Sequence, residues 1–135
     1  MQSQLGHIQC NVAAANLPFY QGLMNFLAWR TIFEMEGAMG VLDPNGTSLW
    51  FIGQANDARN DYDGAGMNHL AFSVATQADV DSAAAYLTAH GVALLFETPR
   101  HRPEFSQSPD HTYYQIMFES PDRILLEVVY TGPKS

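Results

Sequence analysis

From His7 to Val12 apolar and polar side chains alternate, with Ile8, Cys10 and Val12 on one face and His7, Gln9 and Asn11 on the other. That period of two predicts a half-buried strand. Asn16 is then placed to cap a helix with Pro18 in its first turn, where a missing N–H costs little. Phe19, Tyr20, Leu23, Phe26 and Leu27 recur at helical spacing, an apolar stripe suited to covering the Ile8/Cys10/Val12 face. Strands are expected over residues 29–36, 37–42 and 47–53. Asp43-Pro44-Asn45-Gly46 forms the turn between the last two, because proline fixes one dihedral and Asn-Gly accepts positive φ. The first half therefore reads β-α-β-β-β.

The pattern then repeats. Asn68-His69-Leu70-Ala71-Phe72-Ser73-Val74 matches Gly6-His7-Ile8-Gln9-Cys10-Asn11-Val12 almost position for position, half a chain apart. Thr76 with Asp79 resembles a capping box, Val80, Ala83, Ala84 and Leu87 form a helical stripe, and Gly91 is the stop. Strands follow over 92–97, 112–118 and 124–130. Ser120-Pro121-Asp122-Arg123 takes the place of the earlier turn, which sets Leu126 against Leu49 and Glu127 against Trp50. The second copy is longer, and its extra residues are expected in a loop over 98–110 that carries Arg100, His101 and Arg102. The expected organisation is one α+β domain of two tandem β-α-β-β-β modules. The first covers about 5–53 and the second about 67–130, with a turn-rich, acidic linker over 54–66. The expected shape is a cup-like mixed sheet with the helices outside.

Composition narrows the function classes. The 135 residues suffice for one domain with a real core, and 47% hydrophobic against 15% charged residues is ordinary globular usage. A net charge of -8 repels phosphates and anionic membrane surfaces, so neither nucleic acid nor membrane is an expected partner. No apolar run approaches the roughly 18 residues of a membrane span. The start, Met1-Gln2-Ser3-Gln4, lacks the basic and apolar blocks of a signal peptide. The single cysteine, Cys10, excludes an internal disulfide and fits a reducing compartment, so a cytoplasmic location is expected.

His7 and His69, at equivalent positions of two repeats, would meet if the copies pack about a pseudo-twofold axis. Glu127, in Ile-Leu-Leu-Glu-Val-Val-Tyr, is costly to bury unless paired, protonated or metal-bound. Two imidazoles and one carboxylate would leave open positions on Zn, Mn, Fe(II) or Ni for water or substrate. Against this stands the ordinary reading of an isolated strand histidine as a satisfied structural residue, and of Glu127 as a carboxylate on an exposed edge. Tyr113, Gln115 and Met117 share one strand face by alternation. Arg100 and Arg102 could close over an anion or simply be solvated. Cys10 points away from His7, and Asp57, Asp61 and Asp63 lack the spacing of a calcium loop.

The two β-α-β-β-β patterns, the paired His motifs and Phe-Glu-Ser-Pro-Asp-Arg-Ile-Leu-Leu-Glu-Val resemble the vicinal oxygen chelate superfamily over residues 5–130. That group includes glyoxalase I, extradiol dioxygenases, fosfomycin-resistance enzymes and bleomycin-binding proteins. The resemblance implies a divalent metal held by His7, His69 and Glu127, with Glu127 also serving catalysis. It further implies a homodimer and a small oxygen-chelating substrate touching Trp50, Gln9, Tyr113, Met117, Arg100 and Arg102. The activity implied is that of a lyase, thiol transferase or dioxygenase. Trp50 stands where glyoxalase I has a fourth ligand, so the resemblance leans toward three-ligand relatives. The alternative is a metal-free binding protein of the bleomycin-resistance kind.

Overall fold

Period-two alternation survives as a burial pattern over His7–Val12 and at the start of Ser48–Gly53, whereas Arg30–Met35 is exposed throughout and Leu125, Leu126, Glu127, Val128 and Val129 are all buried. The computed structural model describes Met1–Ser135 and separates into two compact units, Met1–Arg59 and Asn60–Ser135. The first contains β1 (His7–Val12), a 3-10 turn (Ala14–Asn16), α1 (Leu17–Phe26), β2 (Arg30–Met35), β3 (Ala38–Leu42) and β4 (Ser48–Gly53). The second contains β5 (Leu70–Ser73), α2 (Gln77–Ala89), β6 (Leu94–His101), a 3-10 turn (Pro103–Phe105), β7 (His111–Glu119) and β8 (Leu125–Pro133). Each unit is thus β-α-β-β-β.

The two sheets have the same topology. In the first the order is β1-β4-β3-β2, and in the second β5-β8-β7-β6; the first and last strand of each unit pair in parallel, and the other neighbours are antiparallel. Gln9 lies opposite Trp50 in one parallel pair and Ala71 opposite Glu127 in the other. Counting two residues back in each case reaches His7 and His69, so Trp50 and Glu127 occupy equivalent sites of the two units. The turn alignment made from Pro44 and Pro121 is therefore also the alignment of the sheets.

Helix α1 buries Tyr20, Leu23 and Met24 against Val12, Met39, Val41, Leu49 and Phe51. The Tyr20 and Phe51 rings stack with centroids 4.4 Å apart. Two details of the expected stripe change: Phe26 is exposed and Met24 is buried in its place. Asn16 makes no side-chain cap, since a 3-10 turn leads directly into α1 and its backbone is already helical. Helix α2 follows its sequence signals closely. Thr76 and Asp79 form the reciprocal capping box, and Val80, Ala83, Ala84 and Leu87 are buried. Full burial of Val80 and Leu87 contributes about 2 kcal/mol each.

The expected long loop over 98–110 is corrected by β6. Leu95 pairs with Met117 and Arg100 with Gln115, so Phe96–Pro99 stand opposite Ile116 alone, and the strand then resumes through His101. A bulge takes up part of the extra length, leaving Arg100 and His101 on a strand and Arg102 at the start of the loop that leads to β7. Thr98 pins the bulge: its hydroxyl donates to Leu95 O at 2.7 Å and accepts from Met117 N at 3.0 Å. Phe96 and Glu97 both adopt left-handed backbone, with φ of 57° and 59°. Such a conformation costs a non-glycine residue roughly 1–2 kcal/mol.

Candidate functional site

Glu127 sits on β8, the strand flanked by β5 and β7, and is 1% exposed. The edge-strand reading of its position is thereby removed. A buried carboxylate needs donors, and the same face of β7 supplies two. Tyr113 Oη donates to Glu127 Oε1 at 2.6 Å, and Gln115 Nε2 donates to that oxygen at 2.7 Å. Gln115 is itself 3% exposed, and its amide oxygen accepts from Arg102 Nη1 at 3.0 Å. Arginine only donates and a carboxylate only accepts, so the Gln115 amide has one orientation that serves both. Oε1 is thus saturated and Oε2 is left for another partner.

That partner is His69, whose Nε2 lies 3.0 Å from Glu127 Oε2. The protonation of the imidazole follows from its other nitrogen. Asn68 Nδ2 donates to the Tyr62 carbonyl at 2.9 Å, which turns Asn68 Oδ1 toward His69 Nδ1 at 2.8 Å. Nδ1 then carries a hydrogen, and Nε2 is the ring atom that meets the carboxylate: with a proton of its own it completes an ion pair, and without one it offers a lone pair. Two lone pairs at 3.0 Å repel unless a proton or a cation lies between them. Two ligand atoms each about 2.1 Å from one ion and at right angles to each other are also about 3.0 Å apart. The 3.0 Å spacing fits a proton shared in an ion pair and equally two ligands of one divalent metal, with His69 held through its other nitrogen as metal-ligating histidines are.

Beside this pair lies a cavity of about 450 Å³ whose lining includes His69, Glu127, Tyr113, Gln115, Met117 and Arg102. Three of the residues expected from sequence to touch substrate, Tyr113, Met117 and Arg102, are thus brought together with two of the three expected ligands. Arg100 is on β6, 3.8 Å from the exposed Glu97 carboxylate, and is not in the cavity wall. The remaining sequence candidates belong to the first unit. His7, Gln9, Ser48 and Trp50 share one face of its sheet by register. Trp50 Nε1 donates to Ser48 Oγ at 3.0 Å, and the ring lies over Gly40, where an added Cβ would approach it to 2.7 Å. No group of three His, Cys, Asp or Glu side chains close enough to share a metal ion forms in the chain.

Sequence reasoning missed Asn68 and Gln115 as organisers of the site. Asn68 adjoins His69 in the repeat and differs from Gly6 in the other copy, which was the available signal. The role of Gln115 depends on cross-strand register. Phe96 and Phe105, also in the cavity wall, gave no signal at all.

Desolvation, followed by the hydrogen bond to Glu127, raises the pKa of Tyr113, and Tyr114 is pushed up to about 12 by desolvation and its bond to Asp81. Both phenols are therefore donors throughout the neutral range. A raised folded-state pKa favours the protonated group, so this stabilisation is complete below the unfolded value near 10 and is lost as pH climbs through the folded values. In a spectrophotometric titration these two tyrosines should ionise late, and Tyr114→Phe should remove one late-titrating phenol. Identical curves for wild type and variant above about pH 11 would contradict the assignment.

The profile of the Glyoxalase/Bleomycin resistance protein/Dioxygenase superfamily matches residues 4–128, and the chain belongs to that superfamily. Its fold is similar to that of a glyoxalase-like protein from Bacillus halodurans, with a TM-score of 0.78, 25% identity and 96% of each chain covered. It is also similar to a glyoxalase/dioxygenase from Nostoc punctiforme, with a TM-score of 0.73, 19% identity, and coverage of 96% of this chain and 91% of that one. A third similar fold is the fosfomycin resistance protein FosX of Listeria monocytogenes, crystallised with Mn(II) and sulfate. There the TM-score is 0.67 and the identity 22%, with coverage of 96% and 91%. A stretch of 64 residues is 39% identical to the uncharacterised Bacillus subtilis protein YqjT; it spans 47% of this chain and 46% of that relative. No helix is long and apolar enough to cross a membrane.

Proposed function

We propose that this protein is a metal-dependent enzyme acting on a small substrate that offers oxygen atoms to a divalent ion. The observation that supports the reading most directly is the orientation of His69, held through Asn68 so that Nε2 faces the free oxygen of a buried carboxylate, where a neutral ring would offer a lone pair. His69 and Glu127 are two ligands in this reading and His7, the repeat equivalent of His69, is the third. His7 would come from the first unit of the same chain or of a second copy. An edge strand, β2, exposed along its length and carrying Ile32, Phe33 and Met35, is in keeping with a homodimer. Mn(II) in the FosX relative makes manganese the first ion to try, with zinc, iron and nickel as the others.

Such an ion, when bound, supplies Lewis-acid stabilisation of negative charge developing on a substrate oxygen. The chain's own residues do the rest. Tyr113 and Gln115 hold Glu127 so that only Oε2 faces the ion, and Asn68 fixes the imidazole ring. Tyr113 and Met117 shape the wall, while Trp50 and Gln9 lie on the His7 face of the first unit's sheet. Arg102 is the cation of the cavity wall, held by Glu104 and Gln115, and Arg100 stands outside that wall beside Glu97. Glu127 and Asp63 are the carboxylates of the cavity wall, and for Glu127 to take or return a substrate proton Oε2 would have to leave the ion, because Oε1 already accepts two hydrogen bonds. Whether the reaction is a lyase, thiol-transfer or dioxygenase step depends on the substrate.

Calorimetric titration of chelator-stripped protein with Mn(II), Zn(II), Fe(II) and Ni(II) tests this. Stoichiometric binding of at least one ion is expected, abolished in His69→Ala and weakened in His7→Ala. If none of the four binds, the alternative stands: a metal-free protein that holds a small molecule in the same cavity.

A further inference from the structure

We infer that the cavity beside His69 and Glu127 selects a ligand whose oxygen donors are attached to a flat apolar body, about one ring in size, and that Phe96 and Phe105 determine that selection. This rests on the cavity being the substrate site, as proposed above. Phe96 and Phe105 are 53% and 57% exposed, yet both belong to the cavity wall, together with Tyr113, Met117 and Leu125. Large apolar side chains left in water at the rim of a polar-bottomed cavity are what a ligand would cover.

Neither ring is there by default. Phe96 reaches its position because β6 breaks alternation at a bulge whose two left-handed residues are held by Thr98. An observed backbone outlier beside a site is a reason to suspect function. Phe105 is fixed from two sides: its ring lies 5.4 Å from that of Tyr113, edge-on, and the Arg102 guanidinium sits 4.9 Å from its centroid. The charge balance points the same way. Arg102 is the single Lys or Arg in the wall, and its Nε is bound by Glu104 at 2.6 Å while Nη1 is bound by Gln115. Asp63 and Glu127 line the same space. A compact dianion such as a phosphonate would meet a cation already engaged and two carboxylates, whereas an apolar ring would meet Phe96, Phe105 and Leu125.

The test compares acetohydroxamate with benzohydroxamate, which share one bidentate oxygen head and differ in a methyl against a phenyl group, and adds methylphosphonate. Binding is followed by calorimetry with Mn(II), and by calorimetry and NMR shifts with EDTA. Benzohydroxamate is expected to bind about tenfold or more tightly than acetohydroxamate, and methylphosphonate more weakly than either. Phe96→Asn removes the ring while supplying a residue that accepts left-handed backbone. It should melt at or above the wild-type temperature and bring the preference close to one; Phe105→Ala should reduce it.

The ratio carries the inference, not either affinity. A ratio that persists in EDTA while Mn(II) fails to bind would sink the metal reading and leave this one standing. Equal binding of the two hydroxamates, no binding of either, or tighter binding of the phosphonate would overturn it. So would a change in oligomeric state of Phe96→Asn or Phe105→Ala by light scattering, since the rings would then belong to a subunit interface.

Discussion

Glu127→Gln is expected to abolish Mn(II) binding without destabilising the metal-free protein. The substituted amide can accept at its oxygen the hydrogen bonds of Tyr113 and Gln115, which now end on Oε1. Its NH2 group would replace Oε2, 3.0 Å from His69 Nε2, and donate to the lone pair that Asn68 leaves there. Every contact survives, the facing lone pairs are relieved, and the cost of burying a charge disappears. Metal affinity is lost because a neutral amide is a poor ligand for a divalent ion. With Mn(II) at about 100 times its dissociation constant, the wild type should gain about 2.7 kcal/mol, roughly 10 °C in melting temperature for a chain of this size. Thermal melts of both proteins, with Mn(II) and with EDTA, check this. An unchanged Mn(II) shift in the variant would remove Glu127 from the ligand set. A variant several degrees less stable than wild type in EDTA would show that the proposed lone-pair opposition is wrong.

Gln115→Leu should weaken both stability and metal binding, through a different route. Leucine fills nearly the same volume but takes from Arg102 Nη1 its Gln115 acceptor, with Glu104 still holding Nε, and leaves the buried Glu127 with one donor fewer. Hydrogen bonds to charged groups are worth about 1.5–3 kcal/mol each, so a loss on the order of 3 kcal/mol is expected after partial relaxation. Removing an outer-shell partner of a metal ligand typically weakens binding by about 10–100-fold. Gln115→Glu keeps the shape and the contact to Arg102 but sets a carboxylate against Glu127, and should lower stability at neutral pH further. Wild-type melting and wild-type Mn(II) affinity in Gln115→Leu would show that the amide is a bystander. The Arg102–Glu104 pair needs no such weight, since Glu104 is half exposed and surface ion pairs contribute little.

Much of the fold could be read from residue order because the signals were local or repeated. Capping by Thr76 and Asp79, the burial of Val80, Ala83, Ala84 and Leu87, and the turn at Asp43–Gly46 each depend on neighbours within one turn of chain. The repeat did more: one register, established twice, set Trp50 and Glu127 at equivalent positions before any coordinate was known. Where a local signal failed the causes differed: at Asn16 a 3-10 turn ending on that residue already holds its backbone helical, and the bulge in β6 is pinned across to β7 through Thr98 and Met117.

The sequence by itself determined the two-module α+β plan, the strand faces, and His7, His69 and Glu127 as the residues to watch. Alternation and helical spacing are properties of one segment at a time, so they can be read from one segment at a time. Only the tertiary structure decided that Glu127 is buried on an inner strand, that Oε1 is occupied by Tyr113 and Gln115, and that His69 turns Nε2 toward Oε2 through Asn68 and the Tyr62 carbonyl. It also decided that a strained bulge brings Phe96 to the rim of the same cavity. Each of these depends on which residues of different strands lie side by side, and hydrogen-bond partners separated by a dozen or more residues leave no periodic mark in the chain.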